Sequence, residues 1–261
     1  MSDYRGKYHQ PITVCMASYN GGLYISEQIK SILNEFSLDD DELIIVDDAS
    51  TDNSIEKIKN VKDVRVKLHQ NTENKGIIFT FEKAISLAQN AYIFTADQDD
   101  IWLKGRRNEM IYALEKSESE VLVSNYTLIN NRGERMDSIN PNELKTEDSH
   151  RTIRNLIHLF QGSLNYFGCA MVLRRRFLKY ILPFPKFIDS HDIYIGLAAI
   201  LNFSIHHHGT PTLDRRLHGK NASVVTRTLL SKLWSRCILF YSVFIIVYRI
   251  LRIRYFDGRT K

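Results

Sequence analysis

The sequence is poor in cysteine, with only three among its 261 residues. Cys15, Cys169 and Cys237 are odd in number, far apart in the chain and set among apolar neighbours. A disulfide framework uses an even set of cysteines, and a zinc site uses pairs at short spacing. We therefore expect free thiols in a reducing compartment rather than a disulfide framework or a zinc site.

Long apolar runs are also missing. The N-terminal segment Met1–Pro11 lacks an apolar core, so it does not have the pattern of a signal peptide. Cys237–Tyr248 contains no charged residue, but it is only about half of the ~20 residues that a transmembrane helix requires. The sequence therefore predicts a cytoplasmic protein without a membrane-spanning helix.

Acidic residues are almost absent from the end of the chain, where Asp257 is the single acid in residues 229–261. Much of the formal net charge of +5 lies there. Basic and aromatic residues surround the uncharged segment: Lys232, Trp234, Arg236, Tyr241, Tyr248, Arg249, Arg252, Arg254 and Tyr255. This pattern predicts an amphipathic helical tail, residues 224–261, that lies on an anionic membrane surface. A C-terminal helix docked on the domain is the alternative.

The rest of the composition is ordinary for a globular protein, with 44% hydrophobic and 25% charged residues. Four apolar segments of strand length are each followed by apolar residues at helical spacing: Ile12–Ala17, Leu43–Val46, Val64–Leu68 and Tyr92–Ala96. Alternating strands and helices predict an α/β fold with a mostly parallel, doubly wound sheet. The third strand alternates apolar and charged residues, so it is expected near an edge of that sheet.

The second half of the chain has weaker patterns. Glu134–His150 is polar and is predicted to be a loop. The predicted elements are helices at Leu103–Lys116 and Ser190–Leu201, with strands at Val121–Asn125, Gly168–Leu173 and Phe203–His206. These segments extend the same domain, for which a single catalytic unit is expected.

Carboxylates follow two of the predicted strands. Asp47 and Asp48 end the second strand, and Asp97, Asp99 and Asp100 follow the fourth. The carboxyl ends of parallel strands meet at one edge of a sheet, where open α/β folds bind ligands. Like charges at such short spacing repel, so a hard divalent cation that also contacts phosphates is a plausible partner. An acidic loop in solvent is the alternative.

Four motifs, in order, resemble family 2 glycosyltransferases of the GT-A fold. They are Ile12–Asn20 (ITVCMASYN), Ile44–Ser54 (IIVDDASTDNS), the turn Asn74–Gly76, and Thr95–Trp102 (TADQDDIW). The resemblance spans about Pro11 to Ser223. It implies a GT-A domain in residues 1–223, with a nucleotide-sugar half at about 11–128 and an acceptor half at about 150–223. The turn after the first strand lacks G-x-G-x-x-G, which excludes a dinucleotide oxidoreductase.

The resemblance also implies roles for particular residues. Asp192, in Ser190-His191-Asp192, matches the catalytic acid of the family and would act as the base. Asp99 and His218 would hold Mn²⁺ or Mg²⁺. The implied nucleotide-sugar contacts are Ser18, Asn20, Asp47, Asp48, Lys75, Asp97, Arg215 and Arg216, of which Asp47 and Asp48 are alternatives for the base and ribose. The implied acceptor-side residues are Asp100, Trp102, Gly168 and His191.

For Asp192 and for the histidines near Arg215, the sequence also allows a simpler explanation. Asp192 is an acid that the dipole favours in the first turn of a helix, and His206–His208 are read as a polar strand end. The Arg215–Asn221 segment resembles the R-x-x-H-x-x-N element of the family, but Asp214 stands where relatives often carry tyrosine. That departure weakens detailed assignments in this segment.

The implied activity is that of an inverting glycosyltransferase of O-antigen or capsule biosynthesis. It would transfer glucose or galactose from a UDP-sugar to GlcNAc-diphosphate-undecaprenol, with a β-1,3 linkage favoured, on the cytoplasmic face of the inner membrane. A rhamnosyltransferase that uses dTDP-rhamnose and a non-catalytic nucleotide-sugar-binding subunit are alternatives. A nucleotidyltransferase is a weaker one, since Ser18–Gly22 lacks a basic residue. No nucleic-acid partner is expected.

Overall fold

The computed structural model describes residues 10–136, 143–164, 166–219 and 228–257. The first half contains β1 (Ile12–Ser18), α1 (Ile25–Leu33), β2 (Glu42–Asp47), α2 (Ser54–Lys59), β3 (Val66–Gln70), α3 (Ile77–Leu87), β4 (Tyr92–Ala96), β5 (Ile101–Trp102), α4 (Arg106–Lys116) and β6 (Val121–Ile129). The second half contains α5 (Thr152–Gln161), β7 (Met171–Arg174), α6 (Leu178–Ile181), α7 (His191–Leu201), β8 (Ile205–Arg216) and α8 (Leu229–Asp257). Strands and helices alternate through the first half, as predicted.

One sheet has the strand order β3-β2-β1-β4-β7-β6-β8-β5. The strands β3, β2, β1 and β4 are parallel, β7 is antiparallel to β4 and β6, and β5 is antiparallel to β8. Ser18 pairs with Asp47 in the register of β1 and β2. The carboxyl ends of β1, β2 and β4 therefore meet at one edge of the sheet, and β3 is the edge strand that its alternating pattern predicted.

Helices cover both faces of the sheet. Side chains of β1 alternate between the faces, so that Val14 and Met16 pack in a cluster with α1 and α4, while Cys15 packs in a second cluster. The second cluster contains residues of α3, α7 and α8. The predicted α/β, doubly wound GT-A architecture is confirmed.

The strand predicted at Phe203–His206 is wrong in extent. The observed strand β8 runs from Ile205 to Arg216 and pairs with β6 across register shifts near Ser124 and Asn125. Polar histidines, Gly209 and Pro211 hide the alternation, and such residues are accommodated where a bulge breaks the ladder. Arg215 and Arg216 are therefore in the sheet, beyond the end of the predicted strand.

Two other predicted boundaries shift because of turns. Gly168–Ala170 forms a 3-10 turn, so β7 begins at Met171. Gly105 has φ of 91°, which delays the start of α4 to Arg106. In the predicted loop Glu134–His150, residues 137–142 lie outside the described part, and Thr146–Asp148 forms a single 3-10 turn.

The tail helix α8 docks on the domain. Its buried residues include Ile238, Leu239, Ile246 and Ile250, of which the last three pack in the same cluster as residues of α7. Within the described residues, no helix is both long and apolar enough to span a bilayer. The docked arrangement left open by the sequence is therefore observed, although much of the helix remains exposed.

Candidate active site

A cavity of about 430 Å³ opens at the carboxyl ends of β1 and β4. Its lining combines the two acidic segments with the start of α7. The predicted site residues on its wall are Ser18, Asp48, Asp97, Asp99, Asp100, Gly168, His191, Asp192 and Arg215. Residues from both predicted halves, about 11–128 and about 150–223, thus face one space.

The aspartates after β4 are close together in a site of little solvent. Burial, and then the charges of Asp100 and Asp99, raise the pKa of Asp97. Burial and the charge of Asp99 raise the pKa of Asp100 to about 6. Oδ1 of Asp100 accepts the backbone N–H of Arg216 at 2.9 Å, while the buried Oδ2 has no hydrogen-bond partner among the described residues. This loop carries more negative charge than its protein partners neutralise.

These side chains suit a hard divalent cation. Single potential ligand atoms of Asp97, Asp100 and Cys169 lie within 4.8 Å of one another. Burial and the neighbouring aspartates raise the pKa of the Cys169 thiol, so the sulfur stays protonated and the carboxylates are the suitable ligands. The free oxygen of Asp100 and the crowded negative charge fit Mn²⁺ or Mg²⁺, the cofactors expected from the sequence.

The second predicted metal ligand is next to the first. Nε2 of His218 lies 2.7 Å from Oδ2 of Asp99, and its ring stacks on Tyr24 with centroids 5.0 Å apart. The structure thus brings together two residues separated by more than a hundred positions. Their part in holding a metal remains a prediction.

The two aspartates after β2 organise neighbouring loops. Asp47 is fully buried, and its carboxylate accepts the N–H and hydroxyl of Ser50 at 2.8 and 2.6 Å. Asp48 accepts the backbone N–H groups of Lys75 and Gly76, each at 2.8 Å. Of the two, only Asp48 lines the cavity, so the structure favours it as the nucleotide contact.

Several residues predicted to contact the donor have other roles in the structure. The Asn20 side chain accepts the N–H of Thr51 at 2.8 Å, joining the loops after β1 and β2. The ammonium of Lys75 pairs with Glu73 at the surface. Ser18 is on the cavity wall, with a buried hydroxyl that has no partner among the described residues.

The two consecutive arginines point to different places. Arg215 lines the cavity, with its guanidinium 4.3 Å from the ring centroid of Phe167. Arg216 is buried away from the cavity lining, where it bonds Glu27 at 2.6 Å and the carbonyl of Asp99 at 2.9 Å. The geometry therefore supports Arg215, and not Arg216, as a side chain that can reach a phosphate in the cavity.

Trp102 is also buried outside the cavity lining. The guanidinium of the buried Arg106 lies 4.7 Å from its ring centroid. A direct contact of Trp102 with an acceptor is not supported by this position. The ring instead packs in the core against Phe94, directly after the loop that carries Asp97, Asp99 and Asp100.

Asp192 lies in the first turn of α7 and faces the cavity. Its Oδ1 accepts the hydroxyl of Ser190 and the N–H of Ile193, and its Oδ2 accepts the N–H of Gly168 at 3.1 Å. These bonds hold the carboxylate in one orientation at the cavity wall. A carboxylate so placed can accept a proton from a hydroxyl bound in the cavity.

His191 is packed beside this carboxylate. Its ring stacks on Phe81 with centroids 4.0 Å apart, and its buried Nε2 has no partner among the described residues. Burial lowers the pKa of His191 against the opposing effect of Asp192, so the ring is neutral near pH 7. A Cβ at position 168 would lie 2.7 Å from Nε2, which explains the glycine there.

Sequence reasoning missed two glutamines of the site. The carboxamide of Gln98 accepts the backbone N–H of Tyr19 at 2.9 Å and donates to the Tyr19 carbonyl at 3.1 Å. The pair of bonds is the one that a neighbouring β-strand would make with Tyr19. The buried Gln28 donates to the carbonyl of Asp97 at 2.9 Å. The sequence feature that could have indicated Gln98 is Gly21, because a Cβ at position 21 would overlap the Gln98 side chain.

Comparison with known proteins gives the class to which this site belongs. Residues 13–182 match the family described as Glycosyl transferase family 2. An uncharacterized glycosyltransferase of Haemophilus influenzae is 31% identical over 185 residues, which cover 70% of this chain and 68% of that protein. The chain therefore belongs to glycosyl transferase family 2.

A relative with a stated activity is similar over a comparable length. UDP-Glc:alpha-D-GlcNAc-diphosphoundecaprenol beta-1,3-glucosyltransferase WfgD of Escherichia coli is 27% identical over 194 residues, or 74% of this chain and 71% of that protein. Among solved structures, S. aureus TarS 1-349 in complex with UDP-GlcNAc superposes with a TM-score of 0.66 and 19% identity. The match covers 92% of this chain but 66% of that one, and it shows the shared fold.

Proposed function

We propose that this chain is an inverting hexosyltransferase. It transfers glucose or galactose from a UDP-sugar to GlcNAc-diphosphate-undecaprenol in O-antigen or polysaccharide biosynthesis, with a β-1,3 linkage favoured. The observation that carries the proposal is that Asp192 and the Asp97–Asp100 loop line one cavity. The activity stated for the similar E. coli protein supports this choice of donor and acceptor.

The proposed reaction is a displacement at the anomeric carbon, with Asp192 as the base. Asp192 accepts the proton of an acceptor hydroxyl as its oxygen attacks the anomeric carbon of the donor sugar. The bond from that carbon to the phosphate oxygen breaks, and the nucleoside diphosphate leaves with the electron pair. Attack on the face opposite the leaving group inverts the anomeric configuration.

The leaving group gains charge as it departs. Arg215 lines the cavity and is the side chain that we assign to the diphosphate. Asp97, Asp99 and Asp100, with His218, would hold Mn²⁺ or Mg²⁺, which supplies positive charge to the diphosphate. Asp48 and the Ser18 hydroxyl are assigned to the nucleoside and sugar of the donor, and the neutral His191 to the acceptor side.

The exposed face of α8 supports a peripheral position on the cytoplasmic face of the inner membrane. Its large apolar residues include Leu230, Trp234, Phe240, Tyr241, Phe244, Tyr248, Leu251 and Tyr255, each more than half exposed. Lys232, Arg252 and Arg254 are exposed on the same helix, whose single acid is the terminal Asp257. A second copy of the helix would bring like charges together, whereas an anionic lipid surface complements them.

The experiment incubates purified protein and Mn²⁺ with a synthetic GlcNAc-diphosphate-lipid. UDP-glucose, UDP-galactose and dTDP-rhamnose are tested separately, and product is followed by mass. Product from a UDP-hexose is expected. Product from dTDP-rhamnose alone would establish the rhamnosyltransferase alternative, and nucleotide binding without product from any donor would support the non-catalytic subunit.

A further inference from the structure

We infer that α8 is a brace, by which we mean that its side chains hold in position the segment that leads to the catalytic base. This role is in addition to its contact with the membrane. The segment that joins α6 to α7, residues 182–190, leads directly to Asp192. Side chains from three places along α8 bind this segment or the residues just before it. The inference rests on the proposed role of Asp192 and assigns Ser235 and Arg249 as positioning residues.

The first contact is at the start of the segment. Nη1 of Arg249 donates to the carbonyl of Ile181 and Nη2 to that of Pro183, each at 2.7 Å. Nη1 is also 3.3 Å from the hydroxyl of Tyr194 in α7. One guanidinium thus ties the end of α6 to α7, and charge-assisted bonds of this kind are stronger than neutral ones.

The second and third contacts approach the base. The ring of Tyr241 lies 5.0 Å from the ring of Phe187, measured between centroids. The hydroxyl of the buried Ser235 donates to Oδ2 of Asp189 at 2.8 Å. Asp189 itself lines the cavity, three residues before Asp192.

The order of these contacts shows that the segment runs antiparallel to α8. Residues near 181–183 meet Arg249, and Asp189 meets Ser235, which lies about four helical turns closer to the start of α8. On its other side, the segment is bonded to α3, since Glu82 accepts the N–H of Phe184 at 2.7 Å. The segment that leads to Asp192 is therefore held between α3 and α8.

The exposed apolar residues assigned to anionic lipid lie on the side of α8 away from Ser235, with Tyr241 at the border between the two sides. A helix held against a membrane fluctuates less, and the segment bonded to it would be ordered with it. The inference thus connects the lipid surface to the base through Ser235 and Arg249. Binding of the membrane is expected to favour the orientation of Asp192 that accepts a proton.

Two variants with matched controls test the brace. Ser235→Ala is compared with Ser231→Ala. Among the described contacts, the Ser231 hydroxyl bonds only the carbonyl of Thr228, just before its own helix. Arg249→Met is compared with Arg176→Met, since Arg176 pairs with Glu120 at the surface, at 2.8 Å. The assay uses a short-chain acceptor in detergent. We expect kcat to be about threefold to tenfold lower in Ser235→Ala and in Arg249→Met than in their controls, as the loss of one hydrogen bond predicts.

A positioning role also predicts the KM of these variants and the activity of a conservative variant. KM for the donor should stay within about twofold of wild type, because Ser235 and Arg249 do not line the donor side of the cavity. Ser235→Thr, which keeps the hydroxyl, should restore kcat. Equal kcat in each variant and its control would overturn the inference.

Amide hydrogen exchange gives a readout that does not require transfer. Peptides covering residues 184–193 should exchange faster in Ser235→Ala than in Ser231→Ala, and slower in wild type with phosphatidylglycerol vesicles than with phosphatidylcholine vesicles. Unchanged exchange in both comparisons would contradict the brace. Altered exchange in a protein that transfers no sugar would retain the brace and reject the proposed activity.

Discussion

Nε2 of His218 lies 2.7 Å from Oδ2 of Asp99, although the two residues are 119 positions apart in the sequence. The contact brings the end of the domain onto the acidic loop after β4. It places an imidazole nitrogen beside the carboxylate of Asp99, which lines the cavity where the diphosphate is expected.

Asp99→Asn should abolish Mn²⁺-dependent binding of UDP, because it removes the carboxylate charge from the predicted metal site. His218→Ala should weaken that binding less, since carboxylates are the principal ligands of such ions. Calorimetric titration of UDP with Mn²⁺ and with EDTA measures both effects. Asp39→Asn, an exposed residue of the loop before β2, is the control and should bind UDP as wild type does.

Asp192→Asn should lower kcat by about a hundredfold or more, as expected for loss of a general base. The amide retains the bonds to Gly168 or Ser190 in part, so UDP binding should persist. Single-turnover transfer and UDP titration separate the two properties. Near-normal turnover of the variant would remove Asp192 from the proposed mechanism.

Gly21→Ala should weaken UDP binding, because the added methyl group would displace Gln98 from Tyr19 and shift the loop after β1. Gly209→Ala is the matched control, since a Cβ there would meet Thr146 Oγ1 at an ordinary 3.4 Å. Thermal melting of each variant, with and without UDP and Mn²⁺, gives the comparison. Equal ligand-induced shifts in the two variants would show that the Gln98 contact does not shape the donor site.

Stability should depend on pH through His207. Burial lowers the pKa of His207 to about 4, and Nε2 of the neutral ring bonds the Tyr166 hydroxyl at 2.8 Å. Below the ordinary pKa of ~6.5 the unfolded chain binds the proton more readily, so stability is lost as pH falls from ~6.5 to ~4. The total loss is about 3 kcal/mol, because each pKa unit corresponds to about 1.4 kcal/mol.

Urea unfolding at pH 7.5 and pH 5 measures that dependence. His207→Gln should be less stable at pH 7.5 and show a smaller difference between the two pH values. His69→Gln, in the edge strand β3, is the control. A pH difference in His207→Gln as large as in wild type would assign the effect to other groups.

Phe244→Ser with Tyr248→Ser should weaken binding to phosphatidylglycerol vesicles by about tenfold or more, since both rings are exposed on α8. Val64→Ser removes an apolar side chain that is 95% exposed beside the edge strand and should have no effect. Vesicle co-sedimentation measures the partition. Equal binding of both variants would mean that α8 is not the lipid contact.

Much of the first half of the fold follows from local pattern. The strand Tyr92–Ala96 has the predicted bounds, and the acids after it are brought to the cavity because parallel strands end at one edge. Asp192 was identified through the resemblance to the family, at the start of a helix that the local pattern predicted. These features depend on residues that are close in sequence.

The remainder depends on partners far apart in the chain. Arg216 is buried because Glu27 and the carbonyl of Asp99 receive its guanidinium, and no local pattern encodes those partners. The extent of β8 depends on pairing with β6, which overrides its Pro and Gly residues. The tail helix is apolar on both faces, so its sequence alone did not distinguish docking from exposure.

The position of β8 also sets the order in which a working enzyme is made. Ile101 pairs with Asp214, and Asp100 accepts the N–H of Arg216, so residues from β8 hold the acidic loop. During synthesis, the strands β1 to β4 emerge long before β8 does. The acidic loop therefore lacks the contacts from β8 until Arg216 has left the ribosome, and a nascent chain gains them only shortly before its tail helix appears.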